Sequence, residues 1–315
     1  MNKKSRIFIA GHKGLVGSAV HRNLIKEGYK NLFIISKKRL DLKNTQAVNN
    51  FFRKNKIEYL IICAALAGGI VANKLYPVQY FNENILIQNS LLNAALKFKL
   101  KRTIFLGTSC IYPYKAKTPI PEESLLTGKL HPTNEAYALA KISGIYLCKA
   151  LYTQYNLDVV ALMPTNLYGL NDRYDAIQSH VIPAMIMKFT DAKRNNRKTV
   201  EIWGDGKPER EFLHSDDLAK AIHIILNESK KKLFKLCNNT FPLINIGSGD
   251  IYTIKKLAEL IQNKIGYKGK IVFNKKYPNG VMKKNLKFDK ITKLNWKPSI
   301  KLPEGLDLVL NSIKY

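Results

Sequence analysis

Cysteine is scarce in this chain. Its four copies among 315 residues, Cys63, Cys110, Cys148 and Cys237, lie far apart and form no CxxC pair. That spacing argues against a zinc site and a disulfide framework, so no metal is expected and a reducing cytoplasmic compartment fits. Long apolar runs are missing as well. The longest, Tyr59 to Ala72, sits between Glu58 and Lys74 and falls short of the roughly 20 residues that span a bilayer. The apolar segment after Arg6 is broken by Gly11, His12 and Lys13, which argues against a secretory signal. No membrane partner is expected. With 18 Gly, 12 Pro and no three-residue period, collagen-like and low-complexity chains are excluded.

Acid is scarce too: 23 Asp and Glu stand against 52 Lys and Arg, for a formal charge of +29. Such a field draws in anionic substrates. The lysines are spread along the chain, and the runs Lys230-Lys231-Lys232 and Lys275-Lys276 read as solvated surface. No nucleic-acid partner is expected.

What the chain does have is core material, at 46% hydrophobic residues, and a length that suggests about two domains. Short apolar runs at Arg6–Ala10, Leu32–Ser36, Tyr59–Ala64, Thr103–Thr108 and Asp158–Leu162 read as strands. Helical periodicity occupies Leu15–Glu27, Gln46–Lys54 behind a Thr45 cap, Asn84–Phe98 and Glu135–Tyr155. Strands alternating with helices predict an α/β fold, a doubly wound parallel sheet of Rossmann type. After Pro164 the pattern changes. Helices are expected at Ser179–Thr190, from Ser215 onward and from Thr253 to Ile265, with strands at Val200–Trp203 and Leu243–Ile246. The expected division is a nucleotide-binding domain over residues 1–170, with segments near 211–248 returning to it, and a smaller mixed substrate domain over 171–315.

Gly11-His12-Lys13-Gly14-Leu15-Val16-Gly17 joins the first strand to the first helix with GxxGxxG spacing. The first glycine allows a tight turn, the second a close approach of a pyrophosphate, and the third close packing of helix on strand. The phosphates would meet the unpaired amides of a helix N-terminus. Strand two ends in Lys37-Lys38-Arg39, with no acid before Asp41. Cations there suit a 2′-phosphate, so NADPH/NADP is the expected cofactor.

Tyr137 and Lys141 stand four apart on a predicted helix and share a face. An ammonium beside the phenol is expected to lower the pKa of Tyr137 and to make it an acid/base group for hydride chemistry. Leu106-Gly107-Thr108-Ser109-Cys110 lies at the carboxyl end of a predicted strand, the edge at which ligands bind in open α/β sheets.

These residues resemble the extended short-chain dehydrogenase/reductases acting on nucleotide sugars. The likeness narrows on Thr108-Ser109-Cys110-Ile111-Tyr112-Pro113, Met163-Pro164-Thr165-Asn166-Leu167-Tyr168-Gly169, Ser179-His180-Val181-Ile182-Pro183, Trp203-Gly204-Asp205-Gly206 and Glu211-Phe212-Leu213-His214. In these stretches the chain is similar to the GDP-L-fucose synthases, the GDP-4-keto-6-deoxy-D-mannose 3,5-epimerase/4-reductases. The likeness runs from about Ile7 to Gly280.

The resemblance implies a GDP-sugar substrate, with Thr108, Tyr137 and Lys141 as the reductase set and Cys110 and His180 as the epimerisation pair. A catalytic thiolate at Cys110 needs an adjacent cation or positive dipole. Leu106, Gly107, Pro164, Thr165, Asn166 and Leu167 are implied beside the nicotinamide, Asp41 near the adenine, Ser109 and His180 among the other cofactor contacts, and Lys188, Trp203, Arg210 and Asn279 beside the substrate. Lys188 stands where the family often has Arg, and Asn279 where it has Asp. Ser109 and Cys110 occupy the places of the Asp-Glu pair of dehydratases, which disfavours water elimination. A homodimer through the helices holding Asn84–Phe98 and Tyr137–Leu151 is also implied. The alternatives are another NADP-dependent nucleotide-sugar epimerase, which would consume no net NADPH, and a nucleotide-sensing or nucleic-acid-binding protein on a Rossmann scaffold. The intact Tyr137/Lys141 pair speaks against the second.

Overall fold

The computed structural model describes residues 1–277 and 279–313. The first half alternates strand and helix: β1 (Ile7–Ala10), α1 (Leu15–Lys26), β2 (Leu32–Phe33), α2 (Thr45–Asn55), β3 (Tyr59–Ile62), α3 (Ile70–Leu75), α4 (Pro77–Lys97), β4 (Arg102–Leu106), α5 (Glu135–Tyr155) and β5 (Val159–Pro164). The second half begins with β6 (Asn166–Tyr168), α6 (Val181–Arg194), β7 (Thr199–Trp203), β8 (Glu209–His214), α7 (Ser215–Asn227), α8 (Lys230–Leu236) and β9 (Leu243–Ile246). It closes with β10 (Ile251–Thr253), α9 (Ile254–Ile265), β11 (Lys270–Asn274), β12 (Lys283–Lys284), α10 (Asp289–Thr292) and α11 (Leu302–Ser312).

Among the described residues, six strands form one sheet in the order β2-β1-β3-β4-β5-β9, and every pairing in it is parallel. Its strands are apolar on both faces because both are covered. Phe8, Ala10, Leu60, Ile62 and Phe105 face a core shared with α2, α4 and α5. The alternate residues Ile7, Ile9, Ile61 and Ile104 face a second core shared with α1, α7 and α8. The chain leaves β1 in one direction for β2 and in the other for β3. A crevice therefore opens at the carboxyl ends of β1 and β3, the switch point at which such sheets bind ligands.

A third core joins α6, α9 and α11 to β7, β8 and β11. In the small sheet, β8 pairs with β6, β10 and β12, and β7 pairs with β11 apart from it.

Several boundaries differ from the sequence reading. The edge strand β2 keeps only two residues, because β1 offers it partners only through Ile7 and Phe8. Asn44, rather than Thr45, caps α2 by accepting from the Ala47 amide at 2.9 Å. Helix α4 starts seven residues early, at Pro77, whose missing N–H costs nothing in a first turn. Ser179 lies outside α6 and ties down the preceding loop, accepting from Asp175 N and donating to Arg173 O, both at 2.7 Å. His214 caps α7 through Nδ1, so Ser215 is its first residue.

Candidate active site

The glycine loop divides its labour as the spacing implied. Gly11 has φ +88°, and a Cβ there would lie 2.6 Å from the Ala64 backbone nitrogen, just after β3. A Cβ on Gly17 would collide with the Gly11 carbonyl, so α1 rests directly on the turn. Gly14 differs: a Cβ there finds only the Gly11 oxygen, at 3.6 Å. Gly14 also opens α1 with no side chain capping the first amides, and the first turn carries no acid. An open cradle of uncapped amides is what a dinucleotide pyrophosphate requires. His12 beside it is held below its ordinary pKa by burial, then by Lys13 and His21.

After β2, Lys37, Lys38 and Arg39 stand exposed on a turn. Lys37 lies 4.0 Å from Glu83 of α4, which Lys43 holds more tightly at 2.9 Å. Asp41 accepts from the Lys43 amide at 3.1 Å and so shapes the turn. Lys38 and Arg39 form no ion pair among the described residues and have the charge a 2′-phosphate calls for.

Helix α5 comes close to the sheet because Gly144 lets it. A Cβ there would meet Phe105 Cζ and Gln88 Oε1, each at 2.5 Å. Gln88 locks α4 to α5 by donating to the Ala140 carbonyl at 2.7 Å. This packing carries Lys141 to the end of β4, where Nζ donates to the Leu106 carbonyl at 2.9 Å. Burial lowers the Lys141 pKa to about 8. Tyr137 packs edge-on against Tyr80, with centroids 6.2 Å apart. Its phenol is not acidified. Burial, then Cys110 and Tyr80, push its pKa up, while Lys141 spends its proton on Leu106. The expectation of a phenolate gives way to a firmly protonated phenol.

Thr108, two residues beyond β4, is extended, and its Oγ1 accepts from the Cys110 amide at 3.2 Å. That bond starts the 3-10 turn Ser109–Ile111 and sets Cys110 at the crevice. The cation that the thiol needed is present, though sequence reasoning had not found it. Lys284 of β12 places Nζ 3.6 Å from Cys110 Sγ. Arg210 of β8 stands in register with Lys284. Burial alone would raise the Cys110 pKa; Lys284, the Thr108 hydrogen bond and Arg210 outweigh it and leave the thiol lowered. At Cys63 desolvation outweighs the one opposing cation, Lys141, and the thiol is pushed up to about 12.

His180 is the N-cap position of α6, and desolvation holds its pKa below the ordinary value. Upstream in that loop, desolvation raises Asp172 to about 6. Pro164 closes β5. The next two side chains, Thr165 and Asn166, donate to the Glu211 carbonyl at 3.3 and 2.9 Å. They therefore tie the segment after β5 to β8.

The residues expected beside a substrate form a second group. Lys188 Nζ lies 5.1 Å from the centroid of the Trp203 ring and donates to the Glu201 carbonyl at 3.0 Å. Trp203 stacks on Tyr277 at 4.4 Å and 15°, a partner the sequence had not revealed. Asn279 accepts from the Asp205 amide at 3.1 Å and so braces the Gly204-Asp205-Gly206 turn. A groove of about 670 Å³ begins there and runs past His131, Lys115, Lys117 and Lys283. Arg210 donates to the Glu209 carbonyl at 2.7 Å and to that of Val281, which links this group to the Cys110 side. Among the described residues, no three His, Cys, Asp or Glu side chains gather as a metal site, and no helix is long and apolar enough to cross a membrane.

The model of the NAD dependent epimerase/dehydratase family matches residues 7–238. The chain is 44% identical over 306 residues to a protein from Arabidopsis thaliana described as putative GDP-L-fucose synthase 2, covering 97% of this chain and 90% of that one. To the GDP-L-fucose synthase of Escherichia coli K12 it is 43% identical over 307 residues, covering 96% and 94%. Among solved structures, it resembles the GDP-mannoheptose C4 reductase from Campylobacter jejuni with NADP bound. That match has a TM-score of 0.88, 37% identity and 99% coverage of both chains.

Proposed function

The chain belongs to the NAD dependent epimerase/dehydratase family, among its GDP-L-fucose synthases, and from that premise we propose how its residues act. The reaction is the NADPH-dependent conversion of GDP-4-keto-6-deoxy-D-mannose to GDP-L-fucose. The observation that carries it is the meeting of a dinucleotide cradle with two proton-handling groups, Tyr137 and Cys110, at the switch-point crevice.

Residues Gly11 to Gly17 hold the cofactor's pyrophosphate, with Lys38 and Arg39 on its 2′-phosphate. Leu106, Gly107, Ser109 and the Pro164–Leu167 loop flank the nicotinamide, which supplies hydride to C4 when bound. Lys188, Trp203, Arg210 and Asn279 receive the GDP-sugar, the cations meeting its diphosphate. Tyr137 donates a hydrogen bond to the C4 oxygen, and the Thr108 hydroxyl turns to that oxygen once the sulfur beside it has taken up its proton.

Cys110 thiolate takes a proton from a carbon next to the ketone. The C–H electron pair moves into an enolate on the C4 oxygen, and an S–H bond forms. His180, in its protonated form, returns a proton from the opposite face at C3; solvent then takes the proton from Cys110 and reprotonates His180, and the same exchange follows at C5. The protonated Tyr137 then gives its proton to the C4 oxygen as that carbon is reduced. A phenol with a raised pKa is in the right state for this step, and Lys141 supports recovery of its proton.

Residues 1–170, with segments near 211–248, serve as the nucleotide-binding domain, and the rest of 171–315 as the substrate domain. The working form is a cytoplasmic homodimer through α4 and α5, which expose Leu86, Leu139 and Tyr146.

The test is NMR of the product formed from NADPH and the keto sugar in deuterated water. GDP-L-fucose labelled at C3 and C5 is expected. Cys110→Ser is expected to bind NADPH normally while label incorporation collapses; unchanged incorporation would remove Cys110 as base. GDP-D-rhamnose as sole product would leave a C4 reductase, the activity named for the Campylobacter jejuni relative.

A further inference from the structure

Resting on the reading of Cys110 as base, we propose that Lys284 is the positioning residue that keeps this thiol ionised, with Arg210 in support. The argument is geometric. A thiolate beside a cleft needs a fixed cation, and Lys284 Nζ stands 3.6 Å from Cys110 Sγ. Lys284 belongs to a two-residue strand that pairs in parallel with β8, opposite Arg210. Two cations from neighbouring strands therefore face one sulfur.

The placement is built from below. Glu211, wholly buried, follows Arg210 and turns its carboxylate toward the chain after β12. Its Oε2 accepts from the Leu286 amide at 2.9 Å. Its Oε1 accepts from the amides of Ser248 and Gly249, each at 2.7 Å. Leu286 is two residues beyond Lys284, so the buried carboxylate fixes the strand that presents the ammonium. The other groups around the sulfur are Thr108, whose hydroxyl bonds with it, and Tyr137 of α5, a neutral phenol whose own proton a thiolate helps to retain. Burial lowers the proton affinity of His131, and Lys284, Arg210 and Lys74 lower it further. The surroundings of the sulfur are thus cationic or neutral, as an anionic base requires.

Alkylation tests this without any sugar. The full chain is treated with iodoacetamide across pH 5–10, and modification of Cys110 is followed by peptide mass spectrometry. The rate midpoint is expected below about 8.5, the value for a free thiol. Lys284→Met is expected to move the midpoint up by about one unit and slow alkylation at neutral pH by about tenfold, while Lys284→Arg restores most of both. Cys148 in the same digest reports the fold, since it is wholly buried and stays unreactive while the core is closed. A wild-type midpoint at or above the free value, or an unmoved midpoint in Lys284→Met, overturns the assignment. The first of these decides even if the variant does not fold. Failure of Cys110 as base appears separately, as retained deuterium exchange in Cys110→Ser.

Discussion

Lys141 directs its ammonium to the carbonyl of Leu106, at 2.9 Å, rather than to the phenol four residues before it on the same helix. The lysine thus anchors the end of β4, one residue before the Gly107-Thr108 edge. Its folded pKa of about 8 lies below the unfolded value near 10.4. Between those values the unfolded chain holds the extra proton, so this group adds stability as pH rises through that window and opposes folding below it. Lys141→Met removes a costly buried charge but leaves a carbonyl unpaired, at about 1–3 kcal/mol. The expected result is a small change in Tm with turnover down about 100-fold or more. Wild-type turnover should fall above about pH 8, and Lys141→Arg should carry no such limb. A pH–rate profile of both enzymes checks this.

Gly11 and Gly14 should separate folding from binding. Alanine at Gly11 meets both a positive φ and the Ala64 backbone, so about 1–3 kcal/mol of strain and a lower Tm are expected. Alanine at Gly14 meets only an ordinary contact, with the Gly11 oxygen at 3.6 Å. Its Tm should be unchanged while NADPH affinity drops at least about tenfold, as the methyl occupies pyrophosphate room. Thermal melts and NADPH fluorescence titrations of both variants give the four values needed. Equal loss of Tm in both would remove Gly14 from the cofactor site.

Which parts the sequence could reveal follows from the range of the signals. The glycine loop, the Tyr137/Lys141 spacing and the strand β9 (Leu243–Ile246) are local patterns, and local chemistry states them. Helix α4 was legible only in its apolar half, because Tyr80 and Pro77 precede the clear stripe. Lys284 could not be singled out. It is one lysine in a chain rich in them, and only the pairing of β12 with β8 brings it across 174 positions to Cys110. Tyr277 beside Trp203 is the same kind of contact. The protonation state of Tyr137 escapes the sequence for a related reason: i,i+4 spacing shows a shared face but not which acceptor a flexible lysine chooses.

Coenzyme choice should depend on the exposed turn after β2. Lys37 has an internal neighbour in Glu83, which makes Lys38 and Arg39 the cations free to meet a 2′-phosphate. A charge-assisted hydrogen bond is worth about 1.5–3 kcal/mol. Lys38→Ala/Arg39→Ala should therefore raise the KM for NADPH about 10–100-fold and leave that for NADH nearly unchanged. Added salt should narrow the gap between wild type and variant for NADPH. Steady-state kinetics with both coenzymes checks it, and an equal effect on NADH would assign the contact elsewhere.

Glu211 supplies a stability measurement tied to the site. One carboxylate receives three backbone amides, from Ser248, Gly249 and Leu286. In Glu211→Gln one oxygen becomes an N–H₂ facing amide donors, so at least one buried N–H loses its acceptor, at about 1–3 kcal/mol. Glu211→Asp keeps the charge but shortens the reach, so it should lose Tm as well. The two variants differ at Cys110. If the Leu286 contact is what holds β12, iodoacetamide should react more slowly at neutral pH in whichever variant frees that strand, by up to about the tenfold expected on loss of Lys284. A lowered Tm with an unaltered Cys110 pH profile in both would mean that Glu211 supports the fold without placing the ammonium.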